Sequence, residues 1–418
     1  MTMTTDPQAV GMSAPRLERI GPAMRAYVDR GVVAGINTMV IRRDQVVHAE
    51  SLGWRDSEAD RPMTSDTIFR IYSMTKPVIA TALMLLHEQG KFQLRQPVAA
   101  YLPAFGATKV LLDGELVDQQ RPLEIRDLLT HTSGLTYDFL DDSPVGALYR
   151  QARIMNDATR TLAEVSEAIA AQPLSFQPGT HWRYSVGIDV AAHLIEVLAD
   201  QPLGSFLADN VFGPLGMTDT GFGVAESNVD RLAAMYGLPD LCGQNYTSGD
   251  LVAAAVSGFN EHIDVSTTYP TDTPDTFVRG GLGLFSTIGD YSRFAQMLLS
   301  DGRRGGLRSD GGPERLFSPK TLELMHANHL PAELMPFEIM GQPFQGYGFG
   351  LGSRVLLDVG RSAVQGSVGE FGWAGAAKTY YWVDPAEDLV GLFMTQYMTG
   401  PESPDADFRS LVYQAILD

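Results

Sequence analysis

Both ends of the chain carry a helix beside a pair of β-strands, and this arrangement restricts the fold more than any other sequence feature. At the N-terminal end, apolar residues three to four apart predict a helix over Ala14–Arg30, and the β-rich runs Ile36–Ile41 and Val46–Ser51 predict a hairpin. The C-terminal end carries a second strand pair and a closing helix, at Thr379–Val383, Leu389–Gln396 and Asp405–Leu417. Because a sheet must bury a face against another element, we expect the two ends to fold together into one α/β unit.

The middle of the chain differs, because helical periodicity dominates there and strand signals are few. The predicted helices are Ile125–Leu129, Thr161–Ala171, Ile188–Leu198 and Gly289–Leu299. We therefore predict an antiparallel sheet with flanking N- and C-terminal helices, formed by residues 1–90 and 300–418, and an inserted, mostly helical domain formed by residues 91–299. A cleft between two such domains is a common place for a small-molecule site.

Residues 226–274 mix Gly, Thr, Asp and Pro with short apolar stretches and show no clear periodicity. This pattern predicts a long loop segment inside the helical domain. Such segments are often lids or substrate walls, and we expect this one to shape the choice of substrate. An ordinary surface excursion is an equally good interpretation of the pattern.

Charge composition excludes several classes of partner. With 31 Lys+Arg and 50 Asp+Glu the formal net charge is −19, and such a surface repels phosphate backbones and anionic membranes. Neither a nucleic acid nor a membrane is therefore an expected partner. The longest nearly apolar run, Val78–Leu86, is far short of the roughly 20 residues of a membrane helix. Because Met1–Met12 shows no signal-peptide pattern, the expected location is the cytoplasm.

Cys242 is the only cysteine, which excludes an intrachain disulfide and a cysteine-rich zinc site. No basic or histidine-rich sequence surrounds it, so a small apolar core residue is favoured over a nucleophile. The eight histidines form no H-E-x-x-H motif, and the glycine clusters lack the strand and helix context of a dinucleotide site. We expect neither a metal nor an organic cofactor.

Ser73 and Lys76 are the strongest catalytic candidates in the sequence. They stand three residues apart at the start of the apolar helical run in residues 69–90, so their side chains share one face of a helix. A serine hydroxyl needs an adjacent base to act as a nucleophile, and a lysine that burial keeps partly neutral can serve. The N-terminus of the helix favours negative charge on Ser73 Oγ and on an acyl oxyanion. The spacing alone fits about equally well a serine that caps the helix and a solvated lysine.

Further motifs follow the S-x-x-K pair along most of the chain. They are Leu128-Leu129-Thr130-His131-Thr132-Ser133-Gly134-Leu135, Pro178-Gly179-Thr180, Tyr184-Ser185-Val186, Pro214-Leu215-Gly216-Met217, Gly280-Gly281-Leu282-Gly283-Leu284, Gly346-Tyr347-Gly348-Phe349-Gly350-Leu351-Gly352 and Trp373-Ala374-Gly375. Together with Ser73-Met74-Thr75-Lys76, they resemble the serine β-lactamase and penicillin-binding-protein superfamily, in particular the class C-like branch that includes the family VIII carboxylesterases. The resemblance implies a β-lactamase-like fold, whereas it indicates the substrate much less firmly.

The resemblance implies a role for each matched residue. It makes Ser73 the nucleophile, Lys76 and Tyr184 the pair that handles its proton, and the backbone N–H groups of Ser73 and Ala376 the oxyanion hole. A phenol beside an ammonium group can exist partly as phenolate, which fits this role for Tyr184. From the sequence alone, a core tyrosine with a tethered hydroxyl is the commoner interpretation. Gly375 is expected to let the substrate approach its strand closely, with an ordinary glycine bulge as the alternative.

Two departures from the β-lactamase pattern concern the substrate. Val186 stands where those enzymes carry the asparagine of Y-x-N, and Trp373 stands where they carry the lysine of K-T-G. Both replacements exchange a polar group for apolar surface, which suits an uncharged acyl or alcohol group. Trp373, Gly375 and Val186 are therefore the expected substrate-binding residues. Lys378-Thr379-Tyr380 also resembles K-T-G, but its third residue lacks the backbone freedom of glycine, so the alignment on Trp373 is favoured.

The sequence thus predicts a serine hydrolase that cleaves small carboxylic esters through an acyl-enzyme on Ser73. A small-molecule ester is the expected partner, and the oligomeric state is left open. An α/β-hydrolase triad is disfavoured because the chain contains no G-x-S-x-G motif. Three alternatives share the implied fold: a β-lactamase or D-aminopeptidase-like amidase, an acyltransferase, and a penicillin-binding sensor module that is acylated without turnover.

Overall fold

The structure is built on one eight-stranded antiparallel sheet. The computed structural model describes residues 5–237, 246–257, 261–272, 276–307, 313–398 and 400–418. Cys242, assigned above to an apolar core, and parts of the 226–274 segment lie outside these ranges. In spatial order, the strands of the sheet are Tyr347–Phe349, Arg354–Leu356, Phe371–Ala374, Tyr380–Asp384, Leu389–Met394, Gly35–Arg42, Gln45–Asp56 and Arg61–Pro62.

Both ends of the chain contribute to this sheet, as the sequence predicts. Gly35–Arg42 pairs with Gln45–Asp56 on one side and with Leu389–Met394 on the other. The first hairpin turns at Arg43 and Asp44, which have positive φ angles of 51° and 58°. Two successive residues with positive φ are typical of the tight turns that match the twist of a hairpin. The predicted antiparallel sheet with N- and C-terminal helices is confirmed.

Side chains alternate between the two faces of the sheet and so separate two cores. Tyr381 belongs to the large central core, whereas its neighbour Trp382 belongs to a smaller core under the terminal helices. The helices Ile20–Asp29 and Pro404–Tyr413 cover that smaller core. The helix Ile288–Leu299 packs on the opposite face. With both faces covered, the central strands Gly35–Arg42 and Leu389–Met394 are buried along their whole length instead of alternating between buried and exposed residues.

The helices largely follow the predicted ones. The α-helices are Ala14–Leu17, Ile20–Asp29, Thr75–Glu88, Ile125–Thr130, Pro144–Gln151, Leu162–Ala170, Gly187–Ala199, Leu203–Leu207, Gly213–Leu215, Ser248–Ser257, Ile288–Leu299, Pro319–His326, Val359–Ser362 and Pro404–Tyr413. The prediction of a single helix over Ala14–Arg30 is wrong: two helices occupy this region, because Pro22 has no N–H to donate to the Glu18 carbonyl oxygen. Among the described residues, no helix combines the length and apolar character needed to cross a bilayer.

The middle of the chain contains more regular structure than its sequence indicates. Short strands pair as Ile68–Arg70 with Phe285–Thr287, Val110–Leu112 with Glu115–Val117, Arg303–Leu307 with Pro313–Arg315, Glu338–Ile339 with Gln342–Pro343, and Met235–Gly237 with both His262–Ile263 and Tyr397–Met398. The prediction that residues 226–274 form one long loop is therefore wrong, since the helix Ser248–Ser257 and two of these strands lie there. Most of these strands have two or three residues, too few to show periodicity, and the partners of Ile68–Arg70 and Met235–Gly237 are distant in sequence.

The division of the chain at residues 90 and 300 stays a prediction. The helix Ile288–Leu299, which this division assigns to the helical domain, packs on the strands Tyr380–Asp384 and Leu389–Met394 of the sheet. The helix Thr75–Glu88 packs against Gly187–Ala199. Elements from both predicted domains thus contribute to the same central core.

A buried ion cluster joins the sheet to the closing helix. Glu370 is fully buried and accepts hydrogen bonds from Arg354, at 3.0 Å, and from Arg409 of the helix Pro404–Tyr413. The Tyr380 hydroxyl accepts from both guanidinium groups, at 2.6 and 3.0 Å. One carboxylate therefore balances two guanidinium groups that are nearly inaccessible to water.

Replacing Glu370 by glutamine should destabilise the protein strongly. Two buried guanidinium groups would lose their shared counter-charge, for which we expect a loss of about 3–5 kcal/mol in the free energy of unfolding. Urea denaturation of Glu370→Gln against the parent protein measures it. Glu323→Gln is the matched control, because Glu323 pairs with Lys320 on the surface at 68% side-chain exposure, and its removal should leave stability nearly unchanged. Equal, small losses in both variants would contradict the role of the cluster.

Candidate active site

Ser73 lies on a tight turn that leads directly into a buried helix. The 3-10 turn Tyr72–Met74 precedes the helix Thr75–Glu88, so the hydroxyl lies at the helix N-terminus. Tyr72 has a φ angle of 44°, a left-handed conformation that costs a bulky residue roughly 1–3 kcal/mol. Tertiary contacts hold the turn in place: Tyr291 donates a hydrogen bond to the Met74 carbonyl oxygen at 2.9 Å.

Lys76 is almost completely buried, with 1% of its surface exposed, and its amine contacts Ser73 directly. Lys76 Nζ donates to Ser73 Oγ at 3.1 Å and to the Gly281 carbonyl oxygen at 2.7 Å. It also lies 4.5 Å from the centre of the Tyr184 ring and 5.1 Å from that of Tyr137. The Gly281 carbonyl oxygen, the Ser73 hydroxyl and two aromatic faces thus surround the amine, an arrangement that desolvates it without isolating it.

Tyr184 reaches the same serine from the other side. Its hydroxyl shares a hydrogen bond with Ser73 and accepts another from Trp373 Nε1 at 3.2 Å. Burial raises the pKa of Tyr184, and the hydrogen bonds from Ser73 and Trp373 only partly oppose this effect. The phenol is therefore protonated at neutral pH, which corrects the expectation that it exists partly as phenolate.

Asp189 is a buried carboxylate that sequence analysis missed. It lies in the first turn of the helix Gly187–Ala199, and its Oδ1 accepts the Gly281 N–H at 3.0 Å. Burial raises the pKa of Asp189, while the nearby charge of Lys76 lowers it. Gly281 is thus held by Asp189 at its N–H and holds Lys76 by its carbonyl oxygen. The sequence signal that could have identified it is an acidic residue on the buried stripe of a predicted helix, five positions after Tyr184.

The strand Phe371–Ala374 leads to the second candidate oxyanion donor. Gly375 N–H makes the last hydrogen bond between this strand and the next, to the Thr379 carbonyl oxygen at 2.7 Å, and Ala376 follows it. Ala376 and Ser73 line the same cavity. Gly375 also lines it, but a Cβ there would collide with the Ile71 carbonyl oxygen and with Thr379 Oγ1. The close approach of this strand to the turn that carries Ser73 therefore requires a glycine here, and close approach of the substrate to Gly375 stays a prediction.

Val186 is not at the cavity, which corrects its prediction as a substrate-binding residue. It precedes the helix Gly187–Ala199, its surface is 1% exposed, and it packs in the central core. The two residues between Tyr184 and the helix turn the chain inward, so the side chain at this position faces the core. Lys378 also lies apart from the cavity lining, because its Nζ donates to the Glu402 carbonyl oxygen at 2.8 Å.

The cavity in front of Ser73 has a volume of about 370 Å³ and mostly apolar walls. Ser73, Tyr184 and Trp373 line one part of its wall, and the surface of Trp373 is 5% exposed. The remaining apolar wall is formed by Phe139, Leu140, Leu251, Ile339, Met340 and Phe344. These wall residues come from three separate segments, and sequence analysis identified none of them, although Leu251 lies within the segment expected to shape substrate choice.

The arrangement provides the parts of nucleophilic catalysis. A serine hydroxyl lies within hydrogen-bonding reach of a buried amine and a buried phenol, and all three are at or near the apolar cavity. Burial and the charge of Lys76 hold the pKa of the neighbouring His131 well below its usual range, so that imidazole is neutral. Within the described ranges, no group of three or more histidine, cysteine, aspartate or glutamate side chains is placed to hold a metal ion.

Comparison with known proteins confirms the β-lactamase-like fold that the sequence predicts. The family model described as Beta-lactamase matches residues 22–415. Protein Rv1367c of Mycobacterium tuberculosis (strain H37Rv) is 36% identical over 384 residues, covering 90% of this chain and 88% of that protein. Esterase EstB of Burkholderia gladioli is 31% identical over 412 residues, or 95% of each chain. A solved structure of EstCE1, "a hydrolase with promiscuous acyltransferase activity", has a TM-score of 0.77 at 27% identity and covers 96% of this chain and 99% of its own.

Replacing Trp373 by phenylalanine should make Ser73 less reactive. The substitution keeps an aromatic wall but removes the hydrogen bond to the Tyr184 hydroxyl, and one such bond corresponds to a roughly three- to tenfold change in rate. The rate at which a fluorophosphonate probe labels Ser73, followed by mass spectrometry, measures the effect. Trp54→Phe is the control, because Trp54 is 41% exposed and outside the cavity lining. Unchanged labelling of Trp373→Phe would show that the bond does not position Tyr184.

Proposed function

The chain belongs to the beta-lactamase family, and from this membership and the geometry of its site we propose that it is a carboxylesterase. It cleaves small carboxylic esters through an acyl-enzyme on Ser73. The observation that carries the proposal is the contact of Ser73 with both Lys76 and Tyr184 beside a cavity that Trp373 closes with apolar surface. EstB, an esterase by name that aligns over 95% of both chains, supports a serine hydrolase activity.

Acylation begins with proton transfer from Ser73. Burial keeps the Tyr184 phenol protonated, so the phenol does not accept this proton. The acceptor is the Lys76 amine, which must be uncharged at this stage. Lys76 Nζ, 3.1 Å from Ser73 Oγ, takes the proton while Oγ bonds to the ester carbonyl carbon. The carbonyl oxygen becomes an oxyanion, which the N–H groups of Ser73 and Ala376 stabilise at the helix N-terminus.

The tetrahedral intermediate then collapses to the acyl-enzyme. As the bond to the alcohol oxygen breaks, Tyr184 donates its proton to that oxygen and receives the proton held by Lys76. The alcohol leaves, Lys76 is uncharged again, and the acyl group stays on Ser73. Water enters in place of the alcohol and repeats the sequence in reverse, which releases the carboxylic acid and restores the Ser73 hydroxyl.

Trp373 supports an ester substrate over a β-lactam or peptide. The resemblance places it where a lysine binds the carboxylate of those substrates, and an indole offers no charge for that purpose. The wall around Trp373 is apolar, and the nearby guanidinium of Arg354 is already paired with Glu370. An uncharged acyl group therefore loses less hydration free energy on entering this cavity than a carboxylate does.

Acyl transfer to an alcohol is the second candidate function. It uses the same acyl-enzyme, with an alcohol in place of water as the group that attacks the acyl carbon. The similarity to EstCE1, a hydrolase with promiscuous acyltransferase activity, favours it. The two outcomes differ only in which nucleophile reaches the acyl group.

Ser73→Ala and Lys76→Ala should each abolish turnover of p-nitrophenyl butyrate, because one removes the nucleophile and the other its base. We expect losses of at least about 1,000-fold in kcat/KM, with circular dichroism showing folded proteins. Lys378→Ala is the matched control, since Lys378 lies outside the cavity lining, and it should keep its activity. Near-full activity in Ser73→Ala would refute the assignment. In the parent protein, a single stoichiometric burst would favour an acylated sensor module, and faster opening of nitrocefin would favour a β-lactamase.

Trp373→Lys should weaken the preference for esters over nitrocefin. The substitution places a cation in the apolar wall and removes the hydrogen bond to Tyr184, so kcat/KM for p-nitrophenyl butyrate should fall by about tenfold or more. The ratio of kcat/KM values for the ester and for nitrocefin is the measured quantity. Trp373→Phe separates the two causes, because it removes only the hydrogen bond. An unchanged ratio in Trp373→Lys would contradict the argument from the apolar wall.

A further inference from the structure

A second, larger cavity adjoins the apolar cavity in front of Ser73 that Trp373 and Phe344 line, which we call the chamber. This groove has a volume of about 790 Å³. Leu140, Tyr184, Ile339 and Met340 line both the groove and the chamber, so the two spaces meet along one shared wall. A substrate bound at Ser73 can occupy both spaces only if its acyl part and its alcohol part extend in different directions from the ester group.

Tyr184 determines which part of the substrate enters which space. In the proposed reaction its hydroxyl gives a proton to the leaving alcohol oxygen, so that oxygen must lie next to Tyr184. Of the residues that handle the Ser73 proton, only Tyr184 lines the groove. The alcohol therefore extends from Tyr184 into the groove, and the acyl group stays in the apolar chamber against Trp373 and Phe344.

The lining of the groove differs in chemistry from that of the chamber. Phe176, His181 and Trp182 provide aromatic faces, and Arg183 and Glu338 provide a cation and an anion. Arg183 is held in place, because its Nη1 donates to Asp141 Oδ2 at 2.7 Å. The indole N–H of Trp182 is buried and has no hydrogen-bond acceptor within the described part of the chain.

Flat aromatic faces beside charged hydrogen-bonding groups suit a saturated ring whose faces carry C–H groups and whose edge carries hydroxyl groups. The C–H faces pack on the aromatic rings, and the hydroxyls donate to a carboxylate and accept from a guanidinium. An alkyl alcohol would leave Glu338 and Arg183 without new partners and would gain only the aromatic contacts. Resting on the proposed esterase function, we propose that the natural substrates are esters of short apolar acids with a polyhydroxylated ring alcohol, such as acylated sugars.

Two esters of equal shape test this assignment. Methyl 6-O-butyrylglucopyranoside and cyclohexylmethyl butyrate share the acyl group, the primary ester linkage and a six-membered ring, and they differ chiefly in hydroxyls. We expect kcat/KM, measured by pH-stat titration of released butyrate, to be at least about tenfold higher for the sugar ester. In Glu338→Ala the ratio of the two kcat/KM values should fall by about threefold to tenfold. Glu333→Ala removes an exposed carboxylate that lies outside the groove lining and should keep the parent ratio.

The outcomes distinguish an error in the groove assignment from an error in the esterase function. Turnover of p-nitrophenyl butyrate with equal kcat/KM for the two ring esters, or with a preference for the cyclohexyl ester, would overturn the groove assignment alone. A sugar preference that Glu338→Ala leaves unchanged would also overturn it, since the hydroxyls would then be recognised elsewhere. A protein that hydrolysed none of the three esters would overturn the esterase function together with the inference built on it.

Discussion

Burial of the Lys76 amine is the constraint on which the rest of the site depends. A buried amine is tolerated only where nearby groups replace the hydration that it loses. Here Gly281 supplies a carbonyl oxygen, Ser73 supplies a hydroxyl, and the rings of Tyr137 and Tyr184 supply their negative faces. The same contacts that make burial possible place the amine against the nucleophile. Stability of the pocket and readiness for chemistry therefore come from one set of interactions.

The local part of this site can be predicted from the sequence, and the non-local part cannot. The spacing of Ser73 and Lys76 determines that they share a helix face, whatever the rest of the chain does. Asp189 and Gly281 stand 92 positions apart, and only the folded chain shows that the carboxylate holds the backbone that holds the amine. Val186 shows the opposite error, because a residue in a matched motif position points into the core when its helix begins directly after it.

The fold shows the same division. The hairpins at the two ends of the chain have long apolar runs and tight turns, so their strands and their common sheet are predictable. Strands of two or three residues, such as Glu338–Ile339, carry no periodic signal, yet their hairpin supplies a wall of the cavity. The spacing of apolar residues overestimates the length of the first helix, because it takes no account of the N–H that Pro22 lacks. Substrate-binding walls are therefore the part of this protein least visible in its sequence.

Trp373 joins catalysis to substrate choice in one side chain. Its ring forms part of the apolar wall, and its Nε1 donates to the Tyr184 hydroxyl. A lysine here would place a charge in the wall and would also release the phenol, so a change of substrate class at this position changes the proton relay as well. Gly375, two residues later on the same segment, lets the strand lie against the turn that carries Ser73. The wall, the relay and the nucleophile thus all depend on contacts made by one strand of the sheet and the residues directly after it, so a substitution that changes one of them also disturbs the others.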